Sequence, residues 1–213
     1  MTECVLVLAA PRSGSSFLTN VVKELGYSTG KNETQIKDSF NERGYFENSS
    51  ILKFNEKVLR IVGSSIFTSK DLSAQQELNS LEHKEELTRI ISHEYTSKFV
   101  IKDPRIIVLR KLYNTVFKEL NISVKTVALF RKAESCAVSL SRLSGRPEND
   151  TILCVKYYHN YLNKLSKSNS LLNINLEDIV KSPDQLKQLA SFLDSEYRDS
   201  LKLLLKSELL NYK

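Results

Sequence analysis

The sequence predicts an α/β protein of three layers, with helices covering both faces of a central, mainly parallel sheet of four to five strands. Short β-branched apolar runs alternate with longer segments whose apolar residues recur at helical spacing, the pattern of strand–helix–strand crossovers. The chain has 213 residues, against a typical ~150 per domain, so one domain spanning 1–213 is expected. Hydrophobic residues make up 41% and charged residues 26%, which excludes a disordered chain, a collagen and a coiled-coil rod.

The elements follow in order. Cys4 to Ala9 is apolar and β-branched, a buried-strand signal. Pro11 to Ser16 is a turn. Phe17, Val21, Val22 and Leu25 then mark a helix, with Gly26 placed to end it. Residues 27 to 45 are polar and too long for a simple connection, which marks a functional loop. A helix is expected from Ser49 to Val62, then a polar break over 63–75, then one helix carrying Leu78, Leu81, Leu87, Ile90 and Ile91 to Tyr95. Phe99 to Ile101 is a short strand, Ile107 to Leu120 a helix and Val124 to Phe130 a strong strand. Ala133 to Leu143 and Ile152 to Leu165 are helices, and Leu171 to Asn175 is the last strand. Helices from Pro183 to Leu193 and from Tyr197 onward close the chain.

Charge and cysteine usage narrow the setting. Thirty-one Lys and Arg against 25 Asp and Glu give +6, which favours anionic partners without naming the anion. The basic residues are scattered and form no nucleic-acid motif. Cys4, Cys136 and Cys154 offer neither a disulfide framework nor zinc spacing, consistent with a reducing compartment. The run Val5–Ala10 is too short for a membrane span and lacks the basic flank of a signal peptide, so a cytoplasmic protein with no membrane span is expected.

In parallel sheets, ligands sit at the carboxyl ends of the strands, and three such ends carry chemistry here. The first is Pro11-Arg12-Ser13-Gly14-Ser15-Ser16. A tight turn opening a helix aims backbone N–H groups at one anion; Gly14 permits close approach, Ser15 and Ser16 add hydroxyls, and Arg12 adds a fixed charge. An NTPase loop would carry a Lys where Ser15 stands. Serine is also a common helix cap, so the same residues suit an ordinary helix start. The second end is Lys102-Asp103-Pro104-Arg105, where Asp103 begins a turn and Pro104 is expected at the first helical position. A solvated cap with a surface ion pair would read the same way. The third is Arg131, with Ser139 about two turns along the next helix, a pair able to hold a second anion.

Taken together these segments resemble the sulfotransferases that use 3′-phosphoadenosine 5′-phosphosulfate (PAPS). Pro11 to Ser16 fits the family's 5′-phosphosulfate loop, Arg131 with Ser139 fits its 3′-phosphate signature, and Lys102 to Arg105 matches a segment common in bacterial members. Gly44-Tyr45-Phe46-Glu47 and Leu176 to Val180 with Pro183 resemble those members too. The chain departs at Arg131-Lys132-Ala133, where the family often has Arg-Asn-Pro or Arg-Asp-Pro. It has no C-terminal Gly-rich segment and no Trp for adenine stacking.

The resemblance implies a P-loop-like sulfotransferase fold, PAPS as donor, adenosine 3′,5′-bisphosphate as product and no metal, because Lys and Arg can do the work that kinases assign to magnesium. It implies donor binding by Arg12, Ser13, Gly14, Ser15, Ser16, Arg131 and Ser139. It implies catalytic roles for Arg12 and Lys102 at the leaving group and sulfuryl oxygens, and for Glu47 as general base. The competing reading of Glu47 is a carboxylate favoured at a helix start. His83, His93 and His159 are expected on helix surfaces, and Tyr157, Tyr158 and Tyr161 in packing against the sheet. The run from Lys202 to Lys206 is expected in a packed terminal helix. Residues 27–75 are expected to shape the site for a glycan or small-molecule acceptor. A P-loop-like small-molecule kinase and a non-catalytic nucleotide- or glycan-binding protein are the competing readings. Oligomeric state is not encoded legibly.

Overall fold

The computed structural model describes residues 2–34, 44–67, 76–167 and 171–204. Its sheet has four strands: β1 (Glu3–Ala9), β2 (Lys98–Lys102), β3 (Ser123–Phe130) and β4 (Leu171–Asn175). They run parallel in the order β2-β1-β3-β4. Leu6 of β1 lies beside Ile101 on one side and Thr126 on the other. β1 is therefore central, which is why Cys4 to Ala9 reads as an unbroken apolar run.

The two faces of β1 divide the core, because alternate side chains point to opposite faces. Cys4, Leu6 and Leu8 pack with α2 (Ser49–Ile61), α3 (Leu81–Glu94), α4 (Ile106–Glu119), α5 (Ala133–Ser144) and α6 (Glu148–Leu165). Val5, Val7 and Ala9 pack with α1 (Ser15–Glu24), α7 (Leu176–Lys181), α8 (Asp184–Phe192) and α9 (Ser200–Leu203). The result is the three-layer arrangement expected from the sequence.

The chain leaves β1 toward β2 and leaves β3 toward β4, in opposite directions. The carboxyl ends of β1 and β3 thus mark the topological switch point, the place at which open α/β sheets bind ligands. The turns bearing Arg12 and Arg131 leave from these two strands.

Differences from the expected elements have local causes. The helix expected from Leu78 onward is two pieces, a 3₁₀ turn at Gln76–Asn79 and α3, because the Ser80 side chain accepts from the His83 N–H and caps α3. α7 is an additional short helix, capped by Asn175 Oδ1 accepting from Glu177 N–H. Pro104 sits in the turn before α4 rather than at its first position. His83 is buried, edge-on to Phe54, rather than on the helix surface. His93 is exposed as expected, and His159 is half-buried beside Phe130. Burial lowers the His159 pKa. Tyr158 is fully buried, with Tyr157 and Tyr161 packed against the same cluster. Parts of the expected 27–75 acceptor region, and the terminal run beyond Leu204, lie outside the described residues. Among the described residues no helix is long and apolar enough to cross a membrane.

Candidate functional site

The turn after β1 is held by its own groups. Ser13 is fully buried, and both its N–H and its hydroxyl donate to the Ala10 carbonyl, at 3.3 and 2.7 Å. Arg12 has φ 65° and Gly14 φ 87°, both left-handed. Only Gly14 escapes the steric cost of that region, so the Arg12 conformation is imposed by its surroundings. Gly14 is also needed for space: a Cβ there would lie 2.9 Å from Leu176 Cδ2. Gly14 caps α1 with no side-chain hydrogen bond, whereas Asn48 and Ser80 cap α2 and α3 with theirs. The first amides of a helix have no carbonyl four residues back, so the first turn of α1 presents donors and the positive end of the helix dipole at the carboxyl edge of the sheet. Ser15 and Ser16 open this turn. Ser15 is buried, and the Ser16 hydroxyl donates to the Tyr45 carbonyl at 3.4 Å.

Arg12, Arg131 and Ser139 come together. Arg12 Nε donates to Ser139 Oγ at 3.0 Å, and Arg131 Nη1 donates to the Arg12 carbonyl at 3.0 Å. Arg131 stands one residue past β3, and Ser139 is buried on α5. Two guanidinium groups are therefore gathered at the switch point with a hydroxyl between elements distant in sequence. This donor set lies beside the start of α1, and such cationic and hydroxyl donors can hold anionic oxygens.

Lys102 and Glu47 form the second part. Lys102 Nζ donates to Glu47 Oε1 at 2.6 Å, with the lysine side chain 3% exposed and the glutamate 15%. This is a buried pair rather than a solvated surface contact. Its neighbour Asp103 accepts from Asn55 Nδ2, from Arg105 N–H and from Arg105 Nη1, while Tyr113 donates to Asn55. Burial opposes the Arg105 charge, but Asp103 and Glu56 beside it hold its pKa above the usual value. These contacts lock the turn after β2 and fix the path of the chain at Lys102.

Glu47 lies on a segment anchored by Glu94, a residue that pattern reading did not single out. The Glu94 carboxylate accepts from Asn32 N–H, Asn32 Nδ2, Asn48 Nδ2 and Ser50 Oγ, at 2.6 to 3.0 Å. Burial pushes its pKa up, but the hydrogen bonds from Asn48, Asn32 and Ser50 prevail and hold it at about 2. One sequence signal existed. Glu94 is the last residue of a helix, where the macrodipole disfavours an acid, so a carboxylate there calls for other partners. Among the described residues no group of three or more His, Cys, Asp or Glu side chains is placed to hold a metal ion.

Comparison with solved structures places this architecture. The sulfotransferase domain of the Synechococcus PCC 7002 olefin synthase matches with a TM-score of 0.53 and 16% identity, over 94% of this chain and 76% of that one. The sulfotransferase STF9 of Mycobacterium avium matches with a TM-score of 0.53 and 11% identity, over 99% of this chain and 68% of that one. No family model matches the chain, and no curated protein does. At these identities the likeness is one of fold, and the fold is that seen in sulfotransferases.

Proposed function

We propose that the protein is a PAPS-dependent sulfotransferase acting on a hydroxyl of a carbohydrate or small metabolite. The single observation that carries this reading is the gathering of Arg12, Arg131 and Ser139 at the β1/β3 switch point, beside the uncapped start of α1. Two anion grips at one crevice suit a nucleotide with charge at both its 3′ and 5′ ends. Sulfotransferase neighbours of the same fold support the class.

In this reading the α1 N-terminus with Gly14, Ser15 and Ser16 holds the 5′ end, while Ser13 shapes the turn. Arg131 and Ser139 hold the 3′-phosphate, the group that separates this donor from ATP. Arg12 bridges the two grips and faces the bond that breaks. The donor supplies the sulfuryl group and a bisphosphate leaving group. Lys102 neutralises charge on the transferring oxygens, and Glu47, already hydrogen-bonded to Lys102, takes the acceptor proton. A positioned base of this kind is worth about 10²–10⁴ in rate. The lysine holds the carboxylate in place, and the carboxylate holds the lysine back from the donor until an acceptor arrives.

Incubation with PAPS labelled in its sulfuryl group and a fractionated cell extract tests the reading. The expected result is an extract component heavier by one sulfuryl group, formed by the native protein and not by Glu47→Gln. No transfer to any component, with the bisphosphate product bound normally, would leave a nucleotide-binding protein without transferase activity.

A further inference from the structure

The Glu94 cluster lies outside the residues just assigned to chemistry, yet it holds together the segments that carry them. It touches the chain on both sides of residues 35–43. Before them, the Glu94 carbonyl accepts from Lys31 N–H and its carboxylate accepts twice from Asn32. After them, the carboxylate accepts from Asn48 and Ser50. Two backbone bonds tie these stretches to each other: Thr34 N–H donates to the Glu47 carbonyl at 2.7 Å, and Ser49 N–H to the Asn32 carbonyl at 2.8 Å. Asn48 has two tasks at once. Its Oδ1 caps α2 through Ser50 and Ile51 N–H, and its Nδ2 reaches Glu94. Glu47 is the next residue back, and its side chain meets Lys102.

We infer that Glu94 is the positioning residue of the acceptor side: its carboxylate clamps residues 29–34 to residues 44–50 and so sets Glu47 against Lys102. The inference rests on the proposed roles of Glu47 and Lys102 for its meaning, but its geometry stands apart from them. Four donors converge on one buried carboxylate, more than a helix end needs for its own stability. Gly30 adds to the same clamp, since a Cβ there would come within 2.7 Å of Tyr95, so the backbone lies flat on the residue after Glu94. An amide in place of the carboxylate keeps the volume but turns one acceptor into a donor facing the Asn32 and Asn48 amide groups, which loosens the clamp without emptying it.

The test is the acetylation rate of Lys102 by acetic anhydride in the full-length protein, read by peptide mass spectrometry with Lys57 as an exposed internal standard. In the native protein Lys102 is shielded by burial and by Glu47. Glu94→Gln is expected to raise the Lys102 rate at least tenfold relative to Lys57, and Ser50→Ala, which removes one donor, by a smaller factor. Glu47→Gln is expected to raise it as well, and adding Glu94→Gln to Glu47→Gln is expected to raise it no further, because Glu94 acts through Glu47. Full additivity of the two, or an unchanged Lys102 rate in folded Glu94→Gln, overturns the inference. If Glu94→Gln fails to fold, Ser50→Ala decides alone, and an unchanged rate there overturns it. Adenosine 3′,5′-bisphosphate affinity is expected to stay within twofold in Glu94→Gln. A native protein that does not bind the bisphosphate contradicts the proposed function while leaving the Lys102 result to judge the clamp.

Discussion

Arg12 and Ser139 are 127 positions apart, and the guanidinium Nε of one donates to the hydroxyl of the other at 3.0 Å. The contact joins the turn after β1 to the helix after β3 across the switch point. Together with Arg131 on the Arg12 carbonyl, it ties the turns after β1 and β3 into one unit.

Loss of that unit is expected to be uneven. Ser139→Ala removes one hydroxyl, a change worth about 1 kcal/mol for an ordinary hydrogen bond. Arg131→Ala removes a charged donor and the support of the left-handed Arg12, worth about 1.5–3 kcal/mol. Calorimetric titration with adenosine 3′,5′-bisphosphate is expected to give a loss of about fivefold for the first and about ten- to a hundredfold for the second. Equal losses would contradict the ranking.

Gly14→Ala is expected to destabilise the protein by two separate routes. The left-handed φ costs a non-glycine residue about 1 kcal/mol, and the new methyl meets Leu176. Leu176→Ala in the same chain opens space but does not change φ, so it is expected to relieve the steric part alone. Denaturant midpoints of the four proteins measure this, with complete rescue as the contrary result.

Breaking the buried Lys102–Glu47 pair exposes an uncompensated charge, which costs about 3–5 kcal/mol in fully buried cases and less here because Glu47 is partly exposed. Glu47→Gln is expected to fold, to bind adenosine 3′,5′-bisphosphate normally, and to lose turnover by about 10²–10⁴. Lys102→Met leaves a carboxylate instead, which can reach water, so its stability loss is expected to be the smaller of the two. Unchanged turnover in Glu47→Gln moves the base elsewhere.

Glu94 makes stability depend on acid. Its pKa is depressed in the folded state, so the carboxylate contributes stability above the ordinary carboxylate value near 4.5, and the contribution fades as pH falls toward about 2. The stability gap between the native protein and Glu94→Gln is therefore expected to be full at pH 7 and to shrink between pH 4.5 and 2. Unfolding curves across this window check the sign, and a gap that widens on acidification is the contrary result.

The strands and the three strand-end segments were legible because their signals are local. Cys4–Ala9 is apolar without interruption since β1 is covered on both faces, and Arg12, Lys102 and Arg131 each follow a run of that kind. The Gly14 turn was legible from its residue types. The inward turn of the Ser13 hydroxyl was not, because it depends on the Ala10 carbonyl coming round to meet it. The left-handed Arg12 was hidden for a similar reason, since its support comes from Arg131 far along the chain. Glu94 and Asn55 were missed because their partners lie 44 or more positions away in the first case and 48 and 58 in the second, and the contact of Leu176 with the Gly14 turn was hidden because the two belong to distant parts of the chain on one face of the sheet. Periodicity carries no trace of such pairings. The split of the Leu78–Tyr95 helix was readable in principle from Ser80, a capping residue placed inside an otherwise helical pattern.

In the proposed function, two grips at the β1/β3 switch point hold two ends of one nucleotide. Calorimetric titration of the native protein with adenosine 3′,5′-bisphosphate beside adenosine 5′-phosphate tests it most directly. The bisphosphate is expected to bind at least tenfold more tightly, with the gap closing in Arg131→Ala. Equal affinities for the two nucleotides, or a gap that Arg131→Ala leaves untouched, would contradict it.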